Sequence, residues 1–158
     1  MRRKDREITD FKTIVEIIDE CDVMRLGISD GDYPYIVPVN FGYEVDGKQI
    51  YFYIHGAMAG KKYEMLRANL KCSFEMDAMQ NIKLVHENHD VTTLYKSVMG
   101  TATVEILDGE AKKRAVDHFL MGRYDMTRNF EYGSTCMPRT ALYKLKVLTI
   151  SAKSNVTP

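Results

Sequence analysis

The sequence predicts a mainly β protein with α elements, an antiparallel β-barrel with helices packed on its outside. Six or seven runs alternate apolar and polar residues with period two, most of them separated by hairpin-length turns. Three other segments carry helical spacing. They fall between or around the strands, without the strict strand–helix alternation of a doubly wound sheet.

The first helix follows a capping residue, Thr9 or Asp10, and repeats Phe11, Ile14, Val15 and Ile18 on one face. It reads as a lid on one end of the barrel. The period then changes to two in VMRLGIS (residues 23–29), and Asp30–Gly31–Asp32 forms a turn. YPYIVPVNFGYEV (33–45) follows as a strand. Tyr35, Val37, Val39 and Phe41 lie on one face, with Ile36, Pro38 and Asn40 on the other. A proline cannot donate to a ladder, so Pro38 marks an edge, a bulge or an interruption. Such a break exposes backbone groups to a ligand. It equally serves as an edge device against aggregation, and the residues leave both readings open.

Asp46–Gly47 is a two-residue hairpin signal, and QIYFYIH (49–55) returns from it with Ile50, Phe52 and Ile54 on one face. This strand runs through His55–Gly56–Ala57 into a helix whose first turn holds Gly60, Lys61 and Lys62 and which stops near Asn69. LKCSFEMD and NIKLVH read as two further strands, followed by a polar loop, His86–Asp90. The run Thr92–Leu107 is a long strand, with Gly100 at a bend or bulge. Asp108 caps a second amphipathic helix, roughly Gly109–Arg123. Residues 124–139 show no clear period, and TALYKLKVLTIS (140–151) closes the sheet.

With 158 residues, no repeat and no linker-like stretch, one domain over residues 1–158 is expected. The 22 basic and 22 acidic side chains cancel, which argues against a general nucleic-acid or membrane-surface binder. Three widely spaced cysteines, Cys21, Cys72 and Cys136, follow a start that lacks an apolar signal segment. Together these point to the cytoplasm.

The strongest chemical signal is the end of the 49–70 stretch. A helix N-terminus presents unpaired N–H groups and the positive end of the helix dipole, and two lysines there make an anion site. Gly56–Lys62 fails as a Walker A loop. Its glycines are one residue too close, and Lys62 stands where a magnesium-binding Ser or Thr belongs. A monophosphate needs neither feature. His55, next to this site, reads as either a structural or a functional histidine. His86-x-x-His89, with Glu87 and Asp90 nearby, could be read as a metal pair, but it lacks the His-Glu-x-x-His order and any cysteine at ligand spacing; it reads as a polar loop, and no metal site is expected.

Tyr33 to Phe41 (YPYIVPVNF), Ile50–Tyr51–Phe52, His55–Gly56–Ala57, Gly60–Lys61–Lys62 and Leu66–Arg67–Ala68–Asn69 together resemble the pyridoxamine 5′-phosphate oxidase-like FMN-binding proteins. Within that group they are most similar to the 5-nitroimidazole reductases, the nitroimidazole-resistance branch. Tyr95 to Ala102 (YKSVMGTA) matches the family's serine-containing strand. The likeness covers about residues 1–125, while the closing strand has Ala152–Lys153 where the family carries Gly-Lys.

The resemblance implies a split β-barrel homodimer with FMN at the interface. Lys61, Lys62 and the backbone of Gly56–Ala57 would hold the phosphate, and the backbone of Pro38, Val39 and Asn40 would face the ring. Tyr95 and Ser97 would reach the phosphate or ribityl side, with Met137 and Arg139 as further contacts. His55 would be the catalytic residue, orienting or protonating the substrate. The implied activity is a two-electron reduction of a nitroimidazole or similar small acceptor, with NADH or NADPH as a transient donor. An FMN binder with little turnover (a sensor or carrier), pyridoxamine phosphate oxidation, and haem binding are the alternatives.

Overall fold

The computed structural model describes residues 3–85, 90–120, 123 and 135–156. After a 3-10 turn, Lys4–Arg6, the elements are β1 (Glu7–Ile8), α1 (Phe11–Glu20), β2 (Met24–Ile28), β3 (Tyr35–Val39), β4 (Gly42–Asp46) and β5 (Gln49–Ala57). They continue with α2 (Lys61–Ala68), β6 (Lys71–Val85), β7 (Asp90–Leu107), α3 (Gly109–Ala115), a short α4 (Cys136–Arg139) and β8 (Thr140–Ser154). One eight-stranded antiparallel sheet has the order β3-β2-β6-β7-β8-β5-β4, with β1 paired to β8.

The two ends of that order, β3 and β4, are consecutive in the chain and separated only by Asn40 and Phe41. The sheet therefore curls until its edges meet at this crossing without pairing, which is a split barrel. YPYIVPVNFGYEV is accordingly two strands and not one, and Pro38 sits on the edge strand β3, where a missing N–H is tolerated. The expected alternation holds on β3: Ile36 and Pro38 are exposed while Val39 is buried.

Several other boundaries differ from the sequence reading. KCSFEMD and NIKLV belong to one continuous strand, β6, because a bulge between Ala78 and Asn81 absorbs the change of register against β7. The second helix is α-helical to Ala115 and continues as a π-helical turn, Val116–Leu120; Arg123, the expected end, is again helical. The two-residue β1 had no periodic signal to announce it. The His86–His89 loop lies outside the described residues, as does most of the unreadable segment. Its end, however, forms α4.

The core fills the barrel and the gap beneath α1. Asp10 caps that helix, accepting from the Thr13 N–H at 2.8 Å, and Ile14, Ile17 and Ile18 pack inward. Phe52 meets Phe41 and Phe74 edge-on, with centroids 5.6 and 5.1 Å away. The Arg123 guanidinium donates to the Ile18 carbonyl at 3.0 Å and lies over Phe41, so it closes the open end of α1 onto the barrel. A smaller cluster on the other face of β5 joins Tyr53 to Ala115, Val116 and Leu142, with Phe119 stacked on Tyr53 at 4.2 Å.

Candidate functional site

β5 and α2 meet at the loop Met58–Gly60. Gly60 takes a φ of 91°, a left-handed conformation that glycine adopts without Cβ strain, and turns the chain into the helix. As the N-cap it also offers no side chain to the first-turn amides. Asp10, by contrast, satisfies such an amide in α1. The head of α2 thus combines uncapped donors with two consecutive ammonium groups, a donor set suited to a phosphate.

The two lysines turn in opposite directions. Lys62 folds back along the end of β5 and donates to the His55 carbonyl at 3.2 Å. It passes so close to Gly56 that a Cβ there would lie 2.8 Å from its Nζ. Gly56 is therefore the residue that leaves Lys62 its path. Lys61 points away, forming an ion pair with Asp30 and resting 5.1 Å from the centroid of the Tyr35 ring. Burial lowers the Lys62 pKa from its ordinary value. His55 is also lowered, first by desolvation and then by the positive charge of Lys62. His55 is exposed to solvent, yet partial desolvation and the Lys62 charge still favour the neutral ring.

The end of β8 completes this corner. His55, Gly56 and Ala57 pair with Leu142, Ala141 and Thr140, so α4 comes to rest beside the strand end. The Met58 N–H donates to the Arg139 carbonyl at 3.1 Å, and Met137 packs against the small cluster that holds Tyr53 and Leu142. Lys112, 7% exposed, donates to the Met137 carbonyl at 2.6 Å and ties α3 to the same turn. The structure therefore brings His55, Gly56, Ala57, Lys61, Lys62, Met137 and Arg139 into one neighbourhood.

The other expected residues are distributed along the sheet. Tyr35 lies under Lys61; Pro38 and Val39 follow it on the edge strand β3, and Asn40 lies just past its end. Tyr95 and Ser97 stand apart. His55 is level with Leu142 and Leu107, whereas Ser97 pairs with Lys153, ten residues further along β7 and roughly 33 Å of extended strand away. Two neighbours of Lys61 escaped the sequence reading: Asp30, which looked only like a turn residue, and Tyr35, which looked only like an inward strand residue.

A shallow apolar groove of about 590 Å³ crosses the outer face of the sheet. Gly27 and Gly100 are among its lining residues, along with Ile36, Met99 and Ile150. Gly100 has no room for a side chain: an added Cβ would overlap the Thr149 carbonyl and lie 2.6 Å from the Phe74 ring. Among the described residues no three His, Cys, Asp or Glu side chains cluster in a metal-binding arrangement. No described helix is long and apolar enough to cross a membrane.

Comparison with known proteins gives this geometry a context. A candidate 5-nitroimidazole antibiotic resistance protein from Bacteroides thetaiotaomicron is 28% identical, with 93% of this chain and 85% of that chain covered and a TM-score of 0.79. An FAD and haem binding protein from Mycobacterium smegmatis, 18% identical, shares the fold with a TM-score of 0.82 over 97% of this chain and 75% of that one. An FAD-binding protein from Mesorhizobium loti, 22% identical, does so with a TM-score of 0.67 over 96% and 98%. No curated protein sequence matches the chain. The sequence model for pyridoxamine 5′-phosphate oxidase matches residues 10–154, from the cap of α1 to the last residue of β8. The chain belongs to the pyridoxamine 5′-phosphate oxidase family.

Proposed function

We propose that the protein is an FMN-dependent oxidoreductase of the cytoplasm that reduces a nitroimidazole or similar small acceptor with electrons from NADH or NADPH. The observation that carries this reading is the head of α2, where uncapped amides and the Lys61–Lys62 pair adjoin a histidine held toward its neutral form. The residues fit a flavin mononucleotide. Lys61, Lys62 and the first-turn N–H groups would hold the phosphate, and Tyr35 and the backbone of Pro38–Asn40 would line the rest of the molecule. When bound, the flavin supplies the two-electron chemistry. His55 orients the acceptor through a ring N–H, and Lys62 secures the strand end that carries it. Buried Cys21 and Cys72, both free thiols, accord with a reducing compartment.

The functional unit in this proposal is a homodimer. Tyr95 and Ser97 are too far along β7 to serve the His55 corner of their own chain, yet they lie on the same outward face of that strand as Met99 and the apolar groove. A second copy seated on this face would bring them to its own anion site. The groove is flanked by Ile36, 63% exposed. Beyond the bulge, the β6–β7 arm carries Ile82 and Leu84, 75% and 62% exposed, on the Met99 side.

The purified protein is expected to be yellow, with a flavin spectrum that NADH or NADPH bleaches anaerobically and a nitroimidazole restores. Bound flavin that neither donor bleaches would make the protein a binder with little turnover, and a chain that takes up no FMN would refute the proposal. Replacing both Lys61 and Lys62 by Ala should weaken FMN binding ten-fold or more, since charge-assisted phosphate contacts contribute about 1.5–3 kcal/mol each.

A further inference from the structure

Lys61 and Lys62 are adjacent but differently engaged. Lys62 donates to a neutral carbonyl, that of His55. Lys61 is held by a carboxylate, that of Asp30, in the turn that follows β2. The Tyr35 ring lies on the same side, so Lys61 is drawn toward the β2–β3 turn by two attractions at once. Both members of the pair remain open to water, with side-chain exposures of 55% for Lys61 and 39% for Asp30. An ion pair so exposed is weak enough to be displaced.

We propose that Asp30 is an internal competitor for the ligand's phosphate, and that it sets how strongly phosphate-bearing flavins are preferred over the same flavin without a phosphate. The inference rests on the head of α2 being the phosphate site. A phosphomonoester carries a charge of about −1.5 to −2 at pH 7 and so out-competes one carboxylate for an exposed ammonium. To do so it must free Lys61 from Asp30, and it then sits near a carboxylate that repels it. A flavin lacking phosphate meets neither cost. Asp30 thus lowers the affinity for FMN and leaves that for riboflavin unchanged, which keeps FMN exchangeable at a site that would otherwise hold it more tightly.

The test is flavin-fluorescence titration of the full-length chain with FMN and with riboflavin, in the wild type and in Asp30→Asn. The expected result is FMN binding about three-fold tighter in D30N, with riboflavin affinity changed less than two-fold. Asp30→Ser should act in the same direction, which covers the case in which the amide itself perturbs the turn. In a Lys61→Met background most of the gain from D30N should vanish. Unchanged FMN affinity in both variants would overturn the proposal. Weaker FMN binding would overturn it as well, because Asp30 would then be presenting Lys61 to the phosphate. If the wild type binds neither flavin, the phosphate-site reading fails first and the competitor role falls with it. If the wild type binds FMN normally and D30N has no effect, only the competitor role is lost.

Discussion

His55 is where residue-scale physics matters most. Desolvation and the nearby Lys62 charge both disfavour its imidazolium, so its folded pKa lies below its unfolded value. The unfolded chain then binds the proton more readily. The stabilisation from the neutral ring is complete above the ordinary value of about 6.5 and is lost as pH falls from there through the folded pKa. Titration of the His55 ring signals by NMR should give a midpoint below 6.5. Lys62→Met should move it upward but not all the way, because desolvation is the larger cause. A wild-type midpoint above 6.5 would contradict this account. The sequence made His55, Gly56 and the two lysines legible because they fall consecutively where a strand enters a helix. It could not make Asp30 legible as their neighbour, since that contact spans thirty residues and depends on where the β2–β3 turn lands.

At the scale of elements, local pattern located most strands and failed where pairing decides. One alternating run from Tyr33 to Val45 looked like one strand; the crossing at Asn40–Phe41 divides it because β2 and β5 claim its two halves. LKCSFEMD and NIKLVH looked like two, but β7 pairs along both and a bulge takes up the difference. Helical spacing continued to Arg123 in the sequence, while the backbone widens into a π turn after Ala115, where Phe119 stacks on Tyr53. Gly100 was legible only as a bend. Its structural reason is the close approach of β8 and Phe74, which no spacing rule reveals. Gly100→Ala should lower unfolding stability by about 1–3 kcal/mol or more, measured by urea denaturation, since backbone has to shift to admit a methyl group. A loss below about 0.5 kcal/mol would mean that β7 and β8 are more loosely apposed here than the structure shows.

For the whole molecule, the decisive question is whether the outer sheet face is free or shared. In the proposed homodimer the β6–β7 arm continues the groove surface, so charges on its exposed apolar face should disrupt association and leave the barrel folded. Ile82→Glu with Leu84→Glu is expected to weaken dimerisation at least ten-fold in sedimentation equilibrium, with an unchanged thermal transition of the barrel core. A wild-type monomer would remove the dimer, whereas a dimer indifferent to both charges would place its interface elsewhere. The split in the barrel bears on how such an assembly can hold a ligand. Strands β3 and β4 are each paired on one side only, and the chain crosses between them in two residues. Among the described residues the wall therefore has a parting line that no strand pairing crosses, like the cut in a collar. Pro38–Asn40 lie on that line, so in the proposed complex a planar ring would meet a margin that the strand pairing has already left open.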